Sequence, residues 1–401
     1  MASQDIFIAR QPIFNREMRV YAYELLFRNG SGQNLANVMD GDAASVQVIL
    51  NSIGEFGLDN LVGEAKAFIN FTEGLLNRQV RPILPKRRIV VEVLEDVKVT
   101  PALVRHLKEL RANGFTIALD DYIFDPATQP LEEVADIIKV DIMDAGPQKM
   151  LEHTQRLKDR GIKLLAEKVE TEQQYLFCKK LGYDLFQGYF FAKPKIVEGR
   201  ALPPSRLSVL ELLNKLYDPN ASLIELSQII AKDVALSEKL MKFISPLMPQ
   251  GVEVGSVYDA VMRFGLARLQ SWGSMLALTA LEDKPPELFK TALIRAKFCE
   301  ILGSKLGQPA KEIFYTVGLF SALDAMMDFP MEQLLEKMNL SQEVKSALLY
   351  REGILGQVLG LVLSLEKDVV PQQLPPKIQP EDVSKSLLQA MKEVQQMDFI
   401  K

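Results

Sequence analysis

The chain has 401 residues, a net charge of −5, 48% hydrophobic residues and 25% charged ones. That length exceeds one ordinary core and calls for two domains, while the acidic balance excludes a general electrostatic drive toward nucleic acid or anionic membrane. Cys178 and Cys299, the two cysteines, exclude a disulfide framework or a zinc site, and no uninterrupted apolar stretch reaches the ~20 residues of a membrane span.

The start, Met1-Ala2-Ser3-Gln4-Asp5, lacks the basic start and apolar core of a signal peptide, so the expected setting is reducing and cytoplasmic. From there the chain alternates short β-branched runs with helical patterns. Strands are expected at Ile6–Ala9, Arg19–Leu26, Ala67–Phe71, Ile89–Val93, Thr116–Leu119, Asp136–Val140, Lys163–Ala166 and Leu185–Phe190. Amphipathic helices such as Pro101–Ala112 and Thr171–Leu181 fall between them. Repeated β-then-α order predicts a parallel sheet, open or closed into a barrel. The basic run Pro85-Lys86-Arg87-Arg88 reads as a solvated strand entry.

Prolines at Lys193-Pro194-Lys195 and Leu202-Pro203-Pro204-Ser205 mark a boundary. Beyond it the spacing of Leu207, Leu210, Leu213 and Leu216 is helical, with breaks at Pro246–Val254 and Pro285-Pro286. The expected division is residues 1–198 as an α/β barrel, 199–205 as a linker, 206–366 as an all-α domain and 367–401 as a tail. Within the tail, Val369–Pro380 is expected to be irregular and Glu381–Gln396 helical.

Polar residues collect where the strands of the first half end. Glu24 lies on the second strand; Asn70, Glu92, Asp120-Asp121, Lys139, Glu167 and Gln187 end later ones. Barrel enzymes place their active sites at those strand ends. A single acid there is ordinarily a cap or a solvated loop residue, but five carboxylates at one mouth would repel one another without cations between them. All-oxygen ligands select hard ions, Mg²⁺, Mn²⁺ or Ca²⁺, over zinc. A pair of such ions activates water against phosphodiesters, and a lysine beside them can orient water or neutralise phosphoryl charge. The chemistry alone leads to a divalent-metal phosphoester site in a barrel.

The ordered motifs Gln11-Pro12-Ile13, Tyr23-Glu24-Leu25-Leu26-Phe27-Arg28, Phe68-Ile69-Asn70-Phe71-Thr72, Glu92-Val93-Leu94-Glu95, Leu119-Asp120-Asp121, Ile138-Lys139-Val140-Asp141, Ala166-Glu167-Lys168-Val169-Glu170-Thr171 and Phe186-Gln187-Gly188-Tyr189-Phe190-Phe191-Ala192-Lys193-Pro194 resemble an EAL domain, the bacterial cyclic di-GMP phosphodiesterase module. The resemblance implies that Glu24, Asn70, Glu92, Asp120 and Asp121 hold Mg²⁺ or Mn²⁺ and that Lys139 and Glu167 hold or activate water. It also implies that Glu95 braces the loop after the aspartates, that Gln11 and Arg28 meet the ligand, and that Gln187 sits at the metal end. Two departures stand out. Active members continue the aspartates as Phe-Gly-Thr-Gly, a loop that shapes the metal site and the barrel homodimer, whereas this chain reads Tyr122-Ile123-Phe124-Asp125-Pro126. Lys168 replaces the glycine of Glu-Gly-Val-Glu, where it either competes with a metal or points to solvent.

The helical half resembles an HDOD domain, through Val257-Tyr258-Asp259-Ala260-Val261-Met262-Arg263-Phe264-Gly265 and Tyr315-Thr316-Val317-Gly318-Leu319-Phe320-Ser321-Ala322-Leu323-Asp324. Ser321-Ala322 stands where an HD hydrolase carries His-Asp, and the two histidines, His106 and His153, lie in the first half with an expected surface role. This half is therefore expected to hold no metal and to bind a protein partner. Trp272 and Met326-Met327 read as core packing, with a partner surface as the alternative. The leading expectation is a cyclic di-GMP receptor with weak or absent turnover; the alternatives are an active phosphodiesterase making pGpG and a scaffold. No membrane or direct nucleic-acid contact is expected.

Overall fold

The computed structural model describes residues 6–29, 57–71, 76, 85–192, 204–232, 234–244, 254–279, 281, 283–307, 310–366 and 374–397. The chain divides into two compact units. One comprises Met1–Lys193, Pro285–Glu287 and Leu361–Lys401; the other comprises Pro194–Lys284 and Leu288–Gly360. The prolines between 193 and 203, and the breaks at 246–253, lie outside the described residues.

The first unit is a closed barrel of eight strands joined in chain order: β1 (Ile6–Asn15), β2 (Val20–Asn29), β3 (Lys66–Phe71), β4 (Ile89–Val93), β5 (Thr116–Leu119), β6 (Ile137–Asp141), β7 (Lys163–Glu167) and β8 (Leu185–Gln187). Its helices are α1 (Leu58–Val62), α2 (Pro101–Ala112), α3 (Ile142–Asp159) and α4 (Glu172–Leu181). Leu103, Leu107 and Leu110 give α2 its buried stripe. The Thr171 side chain caps α4, reciprocated by Gln174, and Gly182 ends it in the left-handed conformation.

Three strands depart from the sequence-based expectation: β2, which runs to Asn29 and not Leu26, and β1 and β8. β1 runs to Asn15 and is antiparallel to both β2 and β8, whereas β2 to β8 are mutually parallel. The reason is the connection: Arg16–Arg19 is a tight turn, and a turn that short joins only antiparallel strands. β8 stops at Gln187 because the backbone turns at Gly188 into a 3-10 segment, Tyr189–Ala192. Gly188 has φ +145°, and a Cβ there would lie 2.1 Å from the Val169 carbonyl oxygen. Gly188→Ala is therefore expected to push β8 off the loop after β7 and to lower the melting temperature of the barrel by several degrees. Thermal unfolding followed by circular dichroism checks this, and an unchanged midpoint would contradict it.

A hairpin leaves no helix between β1 and β2. That position is covered instead by the last helix, α16 (Pro380–Gln395), which packs on β1 and α1 and buries Val383, Ala390, Met391 and Val394.

The second unit contains α5 (Pro204–Leu216), α6 (Leu223–Ala231), α7 (Val234–Ile244), α8 (Val257–Phe264), α9 (Leu266–Thr279), most of α10 (Pro286–Lys305), α11 (Lys311–Phe320), α12 (Leu323–Met327), α13 (Met331–Glu336), α14 (Gln342–Tyr350) and the first half of α15 (Gly353–Glu366). Trp272, Met326 and Met327 are buried in its core, so the partner-surface alternative for them falls away. Ser321 ends α11; its hydroxyl donates to the Gly318 carbonyl (2.7 Å) and accepts from Arg295 (3.2 Å). The stretch Gln342–Glu366 is long and apolar enough to cross a membrane, with mean hydropathy 1.4 in its most apolar window. It is broken into two helices at Arg351, which adopts φ +62°.

Candidate metal and phosphodiester site

The barrel interior is filled by one apolar layer: Ile13, Ala22, Phe68, Val90, Ala118, Ile137, Leu165 and Leu185. Side chains in a strand return to the same face every second residue. Two positions further along each of β2 to β8, or just past its end, stand Glu24, Asn70, Glu92, Asp120, Lys139, Glu167 and Gln187. On the reversed β1 the corresponding residue is two positions earlier, Gln11, paired with Glu24 across the hairpin. The apolar layer is thus the floor and the polar layer the mouth. The strand-end residues expected from the sequence come together, one from each strand, and Asp121 follows Asp120 into the loop after β5.

Lys139 occupies the centre of the ring. Its ammonium pairs with Glu92, with Asp120 at 2.7 Å, with Glu167 at 2.9 Å and with Glu24 at 3.6 Å. Lys139 is 1% exposed and Glu92 fully buried, so these charges interact with little solvent screening. Burial works against the charged lysine, yet Asp120, Glu167, Glu24 and Glu92 outweigh it and hold the ammonium well above its ordinary range. Burial is also the main cause that drives Glu92 well above the usual carboxylate range and Glu167 up to about 8, with Lys139 opposing both. Asp121 is raised by burial and by the charge of Asp120. Gln187 Nε2 donates to Glu24 (2.6 Å) and to Gln11 Oε1 (3.0 Å). Gln11 Nε2 in turn reaches the main-chain carbonyl of Glu366 (3.5 Å), which also accepts from the Tyr189 hydroxyl.

The donor set suits a hard cation. Asn70 Oδ1, Glu92 Oε2, Glu167 Oε2 and Gln187 Oε1 are buried and, among the described residues, have no hydrogen-bond partner. Buried oxygens are rarely left so, and a divalent cation coordinated by oxygen would satisfy them. Asp120, Asp121 and Glu167 each bring one carboxylate oxygen within 4.8 Å of the others.

The loop after Asp121 is ordered by its own aromatic residues and by Glu132, which the sequence did not single out. Asp121 adopts φ +41° and Phe124 φ +63°. The Tyr122 amide donates to the Lys139 carbonyl (3.0 Å), and its hydroxyl donates to Glu132 Oε1 (2.7 Å). Phe124 stacks on His153, with ring centroids 4.5 Å apart, so His153 is engaged in the loop and is not a bare surface residue. Glu95 is exposed and, among the described residues, makes no hydrogen bond or ion pair; with Asp121, Tyr122 and Ile123 it lines a cavity of about 380 Å³ beside the ring. Lys168 adopts φ +54°, the left-handed conformation its family's glycine would take freely; its ammonium pairs with Asp141, the register neighbour of Glu167, and its charge also acts on Asp121. Arg28 belongs to β2, and its side chain lies outside the described residues.

The EAL domain family matches residues 63–194 and the HDOD domain family residues 202–351. The Bacillus subtilis protein YuxH is 34% identical over 373 residues, covering 90% of this chain and 91% of its own. The cyclic di-GMP phosphodiesterase CdgJ of Vibrio cholerae is 34% identical over 366 residues, covering 90% of this chain and 85% of its own. The chain belongs to the EAL–HDOD family. Among solved structures, a standalone EAL protein from Vibrio cholerae in its c-di-GMP bound form is 25% identical, covering 48% of this chain and 93% of its own, with a TM-score of 0.38. The EAL barrel and the helical HDOD region are therefore the two parts read from the sequence.

Proposed function

We propose that the EAL barrel of this chain hydrolyses cyclic di-GMP to linear pGpG in a reaction that requires Mg²⁺ or Mn²⁺. The observation that carries this reading is the ring of buried oxygens around Lys139, four of them without a partner among the described residues. Glu24, Asn70, Glu92, Asp120 and Asp121 would hold the cations. When bound, two such cations supply positive charge against the phosphoryl oxygens and make water acidic enough to attack near neutral pH. Lys139 would neutralise charge on the phosphoryl group, and Glu167, whose Oε1 lies 2.9 Å from the Lys139 ammonium, would take a proton from water. The oxygen of that water forms a bond to phosphorus, one P–O ester bond breaks, and the leaving oxygen of the sugar receives a proton.

Two features bear on the choice between this enzyme and a receptor without turnover. The ammonium of Lys168 pairs with Asp141, and the loop after Asp121 is anchored through the Tyr122 hydroxyl. The relative CdgJ, named a phosphodiesterase, supports the same reading. The HDOD half, with Arg295 and Ser321 at the former metal position, is read as a protein-binding regulator of the barrel.

Incubating the intact chain with cyclic di-GMP and Mn²⁺, followed by chromatography, should show pGpG accumulating. Glu24→Gln should lower the rate by at least 100-fold while leaving the fold intact. Tight binding of cyclic di-GMP without product would replace the enzyme with a receptor.

A further inference from the structure

Glu132 lies in a 3-10 segment, Gln129–Glu133, ten residues beyond Tyr122, and looks in the sequence like half of a solvated acidic pair with Glu133. In the structure its side chain is fully buried. One oxygen accepts from the Tyr122 hydroxyl at 2.7 Å and from Arg156 Nη2 at 2.7 Å; the other accepts from Arg160 Nη1 at 2.8 Å and from Arg156 Nη1. Arg156 and Arg160 stand one turn apart at the end of α3, the helix that follows the strand carrying Lys139. A buried carboxylate served by two guanidinium groups and a phenol has a fixed position, because each charge-assisted bond constrains it.

What Glu132 fixes is the turn that carries the paired aspartates. Tyr122 is held at both ends: its amide by the Lys139 carbonyl and its hydroxyl by Glu132. Between Asp120, which touches Lys139, and Tyr122 lies Asp121 in the left-handed region, a conformation that aspartate tolerates better than most residues but still reaches at some cost in strain. The glycines that shape this turn elsewhere in the family are absent here, so side chains must supply the constraint.

We infer that Glu132 is a positioning residue: through the Tyr122 hydroxyl, with Arg156 and Arg160 behind it, it holds Asp120 and Asp121 at the spacing a divalent cation requires. This inference rests on the metal-site reading above. Partners that orient metal ligands are typically worth about 10–100-fold in metal affinity.

The test uses the intact chain, stripped of metal and titrated with Mn²⁺ well below its melting temperature. Tyr122→Phe removes the hydroxyl alone, and Glu132→Gln keeps the shape while removing the charge. Both should weaken Mn²⁺ binding about ten-fold or more. Leu61→Ala, a core truncation in α1, the helix that packs on α16, controls for stability. It should lower the melting temperature without changing Mn²⁺ affinity. Wild-type affinity in both Tyr122→Phe and Glu132→Gln would overturn the inference, as would equal loss in the Leu61→Ala control. A wild-type chain that binds no Mn²⁺ would remove the metal-site reading itself, and this inference with it.

Discussion

Lys139→Met should lower the stability of the metal-free protein by roughly 3–5 kcal/mol, the usual consequence of removing one partner from a buried ion cluster. Glu24, Glu92, Asp120 and Glu167 all pair with this single ammonium. Methionine fills much of the same volume but leaves four carboxylates facing one another with no counter-ion. The melting temperature should fall on the order of 10 °C. Divalent cation should then act in the opposite direction to the mutation, since Mn²⁺ supplies the charge the lysine supplied. Added Mn²⁺ should accordingly raise the melting temperature of the variant more than that of the wild type. Turnover should be lost in either case, because a cation that balances the carboxylates does not replace the N–H donors that Lys139 offers to water and phosphoryl oxygens. A variant that melts with the wild type and ignores Mn²⁺ would show that the ring is not balanced by Lys139.

A second large effect is expected from the far end of the chain. Ending it after residue 373 removes α16 and exposes what Val383, Ala390, Met391 and Val394 cover on the β1 side of the barrel. At roughly 1.5–3 kcal/mol for each large buried side chain, the loss is on the order of 5 kcal/mol, against a total stability of about 5–15 kcal/mol. The reason is topological. β1 enters β2 through a turn, so no local helix shields it, and its cover comes from the C-terminal segment. Amide hydrogen exchange across Ile6–Asn15 is the measurement. Full protection in the shortened chain would contradict the assignment of α16 to the barrel. The consequence would extend to the site, since Gln11 on β1 bonds Gln187, which bonds Glu24.

Much of the site was legible because it obeys one rule. Each polar residue of the mouth stands two positions from an apolar residue of the floor, as Asn70 from Phe68 and Glu167 from Leu165, and period-two spacing is visible in any sequence. The direction of β1 was less legible. Arg16–Arg19 carries no Asn-Gly or Asp-Gly signal for a tight hairpin, and its antiparallel entry appears only in the pairing. Tyr122 and Glu132 were hidden for another reason. Their value comes from Arg156 and Arg160, more than twenty residues away, and an acid in Leu131-Glu132-Glu133 looks like surface until those arginines are placed beside it. Lys168 could be read two ways in the sequence. Its pairing with Asp141, at the N-terminus of α3, is a contact that the spacing of the sequence does not reveal.

The central claim is that this barrel adds water across a phosphodiester bond of cyclic di-GMP when a divalent cation is present. The most direct measurement is mass spectrometry of the products formed in ¹⁸O-labelled water by the intact wild-type chain, once with Mn²⁺ and once with EDTA. The account predicts pGpG carrying one solvent oxygen on its terminal phosphate in the Mn²⁺ sample, and unchanged cyclic di-GMP in the EDTA sample. Unchanged cyclic di-GMP in both samples, from protein shown to bind both Mn²⁺ and the dinucleotide, would contradict it.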